Sequence, residues 1–342
     1  MTWHGLGRPT FDSIEQYGAA FTDATLWAPY VRAICERHGI AAGEICAGLA
    51  GTFPTFKVGG RYVVKLFGDL FDGLRRYAIE MDVYDALIDL TAMPTPQYVA
   101  DGALFDNGGA WNWPYIVSTC VPGISLGEAR DALSIDGRCD LAYRLGECVR
   151  DLHGACVPHP RVLDASGDAF RILIRRQRAE CVDHHQKWNS LPGHLLEQVD
   201  AYLAPADELL STSAPFRLIH ADLTEDHVLG HPHDGHWRLT GIIDYGDALV
   251  GDPGYELVAL HLGAFACDKG MLRAFLRGYD DGAAWPDMVW RAMSYSLLHE
   301  FDVLGQVFER YPAARRVERL RDLADLIWNP LTAGLEDGLD TG

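Results

Sequence analysis

Two aspartates, Asp222 and Asp244, are the residues whose type and spacing most clearly suggest chemistry. Each lies at the end of an apolar, strand-like stretch, and the two are 22 positions apart. The turn-rich segment from His231 to Gly235 lies between the stretches and predicts a hairpin. Such a hairpin would hold both carboxylates at the mouth of one cleft. Phosphoryl transfer from a nucleotide needs this arrangement, because one carboxylate orients the attacking hydroxyl and another holds magnesium on the phosphates.

A lysine and a glutamate upstream fit the same chemistry. The stretch Arg61–Phe67 reads as a strong strand and carries Lys65 in an apolar setting. The helix predicted from about Leu74 to Leu90 carries Glu80. In protein kinases a strand lysine pairs with a helix glutamate and contacts the nucleotide phosphates. We therefore expect Glu80, rather than its acidic neighbours on the helix, to hold Lys65.

The predicted secondary structure that would position these residues changes from strands to helices near residue 121. Short strands are predicted before it, including Tyr98–Ala100, Gly102–Phe105 and a strand from Trp113 to Cys120. Helices dominate after it. They are predicted around 139–152, 195–210, 256–280, 285–309 and 313–328. The sequence thus predicts an N-terminal nucleotide-binding lobe, residues 1–120, and a C-terminal catalytic and substrate-binding lobe, residues 121–342.

Composition excludes several other classes of protein. Acidic residues outnumber Lys and Arg by 48 to 29, which gives a formal net charge of −19. This charge disfavours nucleic acid and anionic membranes as partners and suits a cationic small molecule. No apolar run approaches the roughly 20 residues that span a bilayer. The eight cysteines form no Cys-x-x-Cys pair and the N-terminus carries no secretory pattern, so we expect a cytoplasmic protein.

Taken in order, these residues resemble the aminoglycoside phosphotransferase family of antibiotic kinases. The resemblance rests on His220-Ala221-Asp222, on Ile243-Asp244-Tyr245-Gly246-Asp247 and on Gly251-Asp252-Pro253. Lys65, Glu80 and the helix end at Leu152-His153 support it, and it covers roughly residues 25–330. It implies an α+β, bilobal, protein-kinase-like fold with a small β-rich N-lobe and a larger, mostly helical C-lobe.

The resemblance also implies a role for each site residue. Asp222 would orient the substrate hydroxyl or accept its proton, and Asp244 would ligate Mg²⁺. Lys65, fixed by Glu80, would contact the α- and β-phosphates of ATP or GTP. The remaining nucleotide contacts would come from the loop residues Gly51, Thr52 and Thr55 and from backbone groups of Ser118, Thr119 and Val121. His220 would brace the catalytic loop and Asp252 would cap the following helix.

Two positions depart from the family pattern. His227 stands where the family usually has an asparagine that helps to hold the second magnesium. Imidazole binds metals, but magnesium prefers oxygen, so His227 is a variant ligand on this interpretation. Pro54 replaces a residue with a backbone donor in the nucleotide loop. The small Ser118 suggests a deeper purine pocket, hence the hypothesis that GTP is accepted as well as or better than ATP.

The acceptor is expected to be a small hydroxylated molecule, most readily an antibiotic whose phosphorylation confers resistance. Asp268, Glu300 and Asp302 are candidates for binding the ammonium groups of an aminoglycoside, although each also reads as an ordinary helical charge. Macrolide, nucleoside and hygromycin-like antibiotics stay open. The alternatives are a metabolic kinase of a sugar, choline or amino-alcohol, and a nucleotide-binding pseudokinase. A protein kinase is disfavoured because no Ala-Pro-Glu segment follows Asp244.

Overall fold

The structure is a computed structural model and describes residues 6–49, 51–90, 93–106, 108, 110–210, 215–234, 236–280, 287–332 and 334–335. The first 120 residues contain a five-stranded sheet and three α-helices, and helices dominate the rest. This arrangement agrees with the α+β, bilobal fold predicted from the sequence. Over the described residues, no helix has the length and apolar character needed to cross a membrane.

The N-terminal part is built on one antiparallel sheet of five strands. The strands are β1 Ile45–Ala47, β2 Thr55–Val58, β3 Tyr62–Leu66, β4 Tyr98–Ala103 and β5 Pro114–Thr119. Hydrogen bonds join them in the order β1-β2-β3-β5-β4. The two short strands predicted from Tyr98 to Phe105 are one strand, β4, because a register shift between Tyr98 and Ala100 lets pairing with β5 continue.

A two-glycine turn sets the register of the strand that carries Lys65. Gly59 and Gly60 both have positive φ, +56° and +64°, which matches the tight hairpin turns favoured between twisted strands. In the resulting register Lys65 lies opposite Thr55 on β2 and Ile116 on β5. The lysine is therefore central in the sheet, between the nucleotide loop and the strand that leads to residue 120.

Helices cover the two faces of this sheet. α1 spans Ile14–Ala20 and α2 spans Ala24–Arg37, and α2 buries apolar residues such as Trp27 and Val31 against the sheet. α3 spans Gly73–Leu87 and packs on the opposite side, next to β5. α3 carries Glu80 towards Lys65, as the sequence predicts.

The remainder is mostly helical. Its helices are α4 Leu126–Ala129, α5 Ile135–Gly154, α6 Asp168–Trp188, α7 Gly193–Leu196, α8 Val199–Tyr202, α9 Ala206–Leu210, α10 Pro253–Val258, α11 Lys269–Asp280, α12 Met288–Leu298, α13 Val303–Arg310 and α14 Leu320–Trp328. The single helix predicted over 195–210 is wrong, since that stretch holds three short helices. Pro205 accounts for the last break, because it lacks an N–H and disfavours helical backbone at the preceding residue. The predicted helices over 256–280 and 285–309 are each interrupted.

Two short sheets frame the loops that carry the paired aspartates. β7 Arg217–Ile219 pairs with β10 Leu249–Gly251, and the hairpin of β8 Val228–His233 and β9 His236–Ile242 pairs with β6 Ile124–Ser125. The predicted hairpin between the aspartates is confirmed, with Val228 opposite Ile242. Asp222 follows β7 and Asp244 follows β9, so adjacent strand ends deliver the two residues.

Helices α5 and α11 cross at close range next to this region. A Cβ on Gly146 of α5 would lie 2.3 Å from the carbonyl oxygen of Phe275, and one on Gly278 of α11 would lie 2.0 Å from that of Tyr143. Only glycine permits this approach of the two backbones. The crossing places the C-terminal end of α5, with His153, beneath the loop that carries Asp222.

Candidate active site

The loops that carry Asp222 and Asp244 are joined through one buried histidine. His220 is inaccessible to solvent, and its Nδ1 accepts a hydrogen bond from the Asp222 N–H at 3.3 Å. Its Nε2 therefore carries the proton and donates to the Ile243 carbonyl oxygen at 2.9 Å. Burial lowers the pKa of His220, which keeps it neutral. The residue thus braces both loops and has no free nitrogen for proton transfer.

Both loops contain a residue in the left-handed backbone region. Ala221 has φ of +66° and Asp244 has φ of +65°. Such conformations are uncommon for residues other than glycine and persist where surrounding contacts enforce them. Here the bonds of His220 provide such contacts, and the turns aim the two carboxylates away from the backbone.

Glu256 of α10 holds the first loop from beneath. Its carboxylate, 1% exposed, accepts the backbone N–H of His220 at 2.6 Å and that of Ala221 at 3.4 Å. His153 Nε2 lies 3.7 Å from the same oxygen. Burial opposes ionisation, but the neighbouring His153 and His220 and the backbone N–H of His220 lower the pKa of Glu256. Glu256 therefore acts as a buried anionic anchor for the catalytic loop.

Lys65 lies between two carboxylates. Its Nζ forms ion pairs with Glu80 and, at 2.7 Å, with Asp244. Burial works against the charge of Lys65, but Asp244 and Glu80 outweigh it and raise the lysine's pKa. Burial raises the pKa of Glu80 to about 7, opposed by Lys65. Partial burial opposes the ionisation of Asp244, whose side chain is 38% exposed, yet the Lys65 ammonium holds the pKa of Asp244 well below the usual range.

A cavity of about 270 Å³ opens between the sheet and these loops. It is lined by every residue that the sequence proposes for nucleotide contact, namely Gly51, Thr52, Thr55, Lys65, Glu80, Ser118, Thr119 and Val121. Asp244 and His227 lie at the same cavity. Tyr84 also lines it, and its side chain contacts that of Ser118.

Asp222 faces a different cavity, of about 560 Å³, on the other side of the two loops. Burial raises the pKa of Asp222 to about 6, with His227 opposing the shift and the nearby aspartates adding to it. Asp247 also lines this second cavity and is paired with Arg76, which donates to the Gly246 carbonyl oxygen at 3.0 Å as well. Asp244 and Asp222 therefore line two neighbouring cavities.

A family model described as the phosphotransferase enzyme family matches residues 49–290, most of the chain. The chain belongs to this family. That membership confirms the prediction of an O-phosphotransferase, and the matched region contains both aspartate loops and most of the residues that line the two cavities.

Solved structures of similar fold are aminoglycoside phosphotransferases. The GDP complex of aminoglycoside 2'-phosphotransferase-IIIa is 21% identical, covers 87% of this chain and 97% of its own, and superposes with a TM-score of 0.62. The ADP-bound APH(2'')-Ib is 18% identical, covers 87% and 98%, and has a TM-score of 0.56. At these identities the likeness shows that the phosphotransferase shares their protein-kinase-like fold.

A curated relative is the lysine-specific demethylase JMJ21 of Arabidopsis thaliana, 24% identical over 275 residues. The match covers 64% of this chain but 29% of that protein. The phosphotransferase thus spans less than a third of the length of its curated relative, and the name of the whole protein does not transfer to it.

In the phosphotransferase one ring nitrogen of His227, Nδ1, is bonded to the loop of Asp222, and Nε2 is left for the predicted metal contact. Its Nδ1 contacts the Asp222 carbonyl oxygen at 2.5 Å and lies 3.7 Å from the Asp222 carboxylate. Because Nδ1 faces these acceptors it carries the proton, which leaves Nε2 as the basic nitrogen. Among the residues that the structure describes, no group of three or more His, Cys, Asp or Glu forms a metal-binding set. The oxygen donor suited to magnesium is Asp244, and magnesium commonly takes one or two carboxylates and completes its sphere with phosphates and water.

The three acids proposed for substrate binding have different positions in the phosphotransferase. Asp268 caps α11 by accepting from Gly270 N at 2.8 Å and Met271 N at 3.1 Å, and Asp302 caps α13 by accepting from Gly305 N at 2.9 Å. Such capping already occupies the two carboxylates. Glu300 lines the cavity of Asp222, so it alone of the three lies at the same cavity as that aspartate.

Asp82 is a residue whose role the sequence does not reveal. Its carboxylate, 1% exposed, accepts backbone N–H groups of Arg161, Val162 and Leu163 at 2.7 to 2.9 Å. These bonds fasten α3, which carries Glu80, to the helical part of the chain. In the sequence, the indication of this role is the position of Asp82 beside Val83 on the buried side of α3.

Proposed function

We propose that this enzyme transfers the γ-phosphate of ATP or GTP to a hydroxyl of a small molecule in a magnesium-dependent reaction. One observation carries the proposal. Asp244 lies at the cavity lined by the residues predicted to contact the nucleotide, and Asp222 lies at the neighbouring cavity. His220 connects the two loops, because it bonds both the Asp222 N–H and the Ile243 carbonyl oxygen. A donor and an acceptor bound in these two spaces would meet at the two carboxylates.

The residues of the two cavities would take the separate roles that phosphoryl transfer requires. Asp222, a carboxylate above pH of about 6, would orient the acceptor hydroxyl and take its proton. Lys65, kept charged and held by Glu80, would bind phosphate oxygens, with backbone groups of the loops from residues 51 to 55 and 118 to 121 fixing the nucleotide. Asp244 fits magnesium, and the bound ion would neutralise charge on the phosphates. His227 is a second candidate ligand through Nε2.

The nucleotide and acceptor assignments define the domains. We propose that residues 1–120 form the nucleotide-binding lobe and residues 121–342 the catalytic and substrate-binding lobe. The sheet, α3 and the nucleotide loop support the first assignment, and the two aspartate loops support the second. The free cysteines, eight in the described residues, support a reducing compartment, and we place the enzyme in the cytoplasm.

Hydroxylated antibiotics are the first acceptor class to test. The support is the fold shared with APH(2'')-IIIa, whose structure with GDP and kanamycin is 22% identical with a TM-score of 0.57. Phosphorylation would add charge to such a molecule and would confer resistance by blocking its binding to a target.

The test is mass spectrometry of an acceptor panel incubated with enzyme, magnesium and either ATP or GTP. We expect a phosphate-sized mass gain in at least one acceptor, its absence when nucleotide is omitted, and loss of the product with Asp222→Asn. Turnover under matched magnesium compares ATP with GTP. A product that forms at the same rate with Asp222→Asn would contradict the proposal.

A further inference from the structure

The loop of Asp244 is held by hydrogen bonds to carbonyl oxygens on both sides of that residue. Before it, His220 Nε2 donates to the Ile243 carbonyl oxygen at 2.9 Å. After it, Arg76 Nη1 donates to the Gly246 carbonyl oxygen at 3.0 Å. Asp244 lies between these carbonyls with φ of +65°, a conformation that surrounding contacts have to enforce. The histidine and the arginine therefore hold the two ends of the turn that carries the proposed magnesium ligand.

Arg76 lies on the same helix as the glutamate that pairs with Lys65. It precedes Glu80 on α3 by about one helical turn, so the two side chains leave neighbouring points on one face of the helix. Glu80 pairs with Lys65 at the nucleotide cavity, and Arg76 pairs with Asp247 at the cavity of Asp222. The helix that fixes the lysine is thus also bonded to the loop of the proposed magnesium ligand.

The peptide that Arg76 bonds lies next to the ion pairs of the nucleotide cavity. A Cβ on Gly246 would be 3.3 Å from Glu80 Oε1, 3.5 Å from Asp244 Oδ1 and 3.9 Å from Lys65 Nζ. The backbone at this glycine is therefore packed close to all three charged groups. Movement of that backbone away from α3 would also move the Asp244 carboxylate, which belongs to the same turn.

The contact between Arg76 and Asp247 contributes little to the stability of the whole fold. The two side chains are 30% and 39% exposed, and ion pairs of such exposure add little to the free energy of unfolding. Asp82 separately fastens α3 to the backbone of residues 161–163. Loss of the arginine should therefore release the loop of Asp244 while the helix and the rest of the fold stay in place.

We propose that Arg76 is a positioning residue for phosphoryl transfer, which holds the turn of Gly246 and Asp247 against α3 and so keeps Asp244 directed into the nucleotide cavity. Arg76 acts through this loop and needs no contact of its own with nucleotide or acceptor. The inference rests on the proposed function, in which Asp244 holds magnesium. It adds a residue that lies outside the motifs that carry the family resemblance.

Amide hydrogen exchange, followed by mass spectrometry without any ligand, tests the position of the loop. In Arg76→Ala, peptides covering residues 243–249 should exchange about tenfold faster, because a charge-assisted bond to the turn is lost, while peptides from α2 keep the parent's rate. Arg75→Ala is the matched control. Arg75 is the preceding residue on α3 and lines the same cavity, and within the described part of the chain it has no bond to this turn. Parental exchange of the loop in Arg76→Ala, or equal acceleration in both variants, would overturn the proposal.

Two further substitutions separate the hydrogen bonds of Arg76 from the bulk of its side chain. Both contacts of Arg76 come from one nitrogen, Nη1, so a lysine ammonium with three donors can replace them. Arg76→Lys should return loop exchange to within about threefold of the parent's. Arg76→Met, which keeps an unbranched side chain but has no donor, should behave like Arg76→Ala. Equal exchange in the lysine and methionine variants would contradict a role for the hydrogen bonds.

Calorimetric titration with GDP, in the presence of Mg²⁺ and in the presence of EDTA, measures the consequence for the metal. We expect Mg²⁺ to tighten GDP binding about tenfold more in the parent and in Arg75→Ala than in Arg76→Ala, because Asp244 is no longer held in place. Without Mg²⁺ the three GDP affinities should agree within about twofold. A parent enzyme whose GDP affinity does not respond to Mg²⁺ would contradict the proposed function. An equal response in Arg76→Ala would overturn the positioning role alone.

Discussion

Asp82 and Glu256 both accept backbone N–H groups, and neither lines the cavity of Lys65 and Asp244. Asp82 fixes the helix of Glu80, and Glu256 fixes the loop of Asp222. Carboxylates that accept several N–H bonds in a buried setting are strong structural contacts, because a lost acceptor leaves the donors unsatisfied.

Substitution of Asp82 tests whether its hydrogen bonds hold α3 in place. We expect Asp82→Ala to lower the free energy of unfolding by about 2 to 4 kcal/mol, since three backbone N–H groups, one of them buried, lose their acceptor. We also expect a raised KM for nucleotide, because α3 would no longer hold Glu80 against Lys65. Chemical denaturation and steady-state kinetics measure the two effects.

Asp85→Ala is the control for that experiment. Asp85 lies one turn along α3, is exposed, and bonds only the side chain of Arg161, at 2.7 Å. It should change stability by roughly 0.5 kcal/mol or less. If Asp82→Ala behaved like Asp85→Ala, the proposed fastening of α3 would be contradicted.

The pairing of Lys65 with Glu80 could be predicted because the two residues lie on consecutive elements, with a strand and a helix each clear from local pattern. The bonds of Asp82 could not, since they join positions 79 to 81 apart in the sequence. Glu256 likewise bonds a loop 36 positions before it. Long-range hydrogen bonds to backbone leave no local signature, so these residues read as ordinary helical acids.

Among the elements, the crossing of α5 and α11 depends on glycine at the contact. Gly278→Ala should lower the melting temperature by several degrees, because its Cβ would meet the Tyr143 carbonyl oxygen and force the helices apart. The loop of Asp222 rests on the end of α5 through His153, so kcat should fall as well. Thermal unfolding and kinetics are the measurements.

Gly154→Ala provides the matched comparison on α5. A Cβ there would meet no atom within 4 Å. Alanine is favoured over glycine in a helix, so this variant should be neutral or more stable. A loss of stability as large as that of Gly278→Ala would show that the crossing distance is not the cause.

Element types were more predictable than element ends. Apolar periodicity identified the strand of Lys65, the helix of Glu80 and the hairpin between the aspartates. It failed over 195–210, where the apolar residues are shared by three short helices. Periodicity reports which residues are buried, and several consecutive short helices can bury the same residues as one long helix.

At the scale of the whole molecule, buried histidines make stability depend on pH. Burial lowers the pKa of His261 and of His299 to about 4, from an ordinary value of 6.5. Below pH 6.5 the unfolded chain binds protons that the folded chain does not, so the free energy of unfolding falls as pH decreases towards 4. Each histidine contributes on the order of 3 kcal/mol to this loss.

Urea denaturation at pH 7.5 and at pH 5 checks this prediction. His261→Gln should be less stable at pH 7.5, since the imidazole hydrogen bond to the Ile327 carbonyl oxygen is replaced, but its stability should fall less between the two pH values. An equal fall in the variant and in the parent protein would contradict the assignment to His261.

Net charge is a property of the whole chain and does not by itself describe the site. The excess of acidic residues suggested a cationic acceptor, and the cavity of Asp222 is lined by five carboxylates and three arginines, with Asp247 and Glu300 in ion pairs with arginines. Composition does not record where charges lie or which are paired. Acceptor class therefore requires the structure, while fold class and the reacting carboxylates could be predicted from ordered motifs.

We propose that Asp222 acts on the acceptor while the nucleotide is bound in the neighbouring cavity. A direct measurement compares Asp222→Asn with the parent enzyme in two assays, affinity for GDP and rate of phosphoryl transfer to an identified acceptor. We expect a GDP affinity within about twofold of the parent's and a transfer rate lowered by about 10² to 10⁴. Transfer at the parental rate, or loss of GDP binding together with transfer, would contradict it.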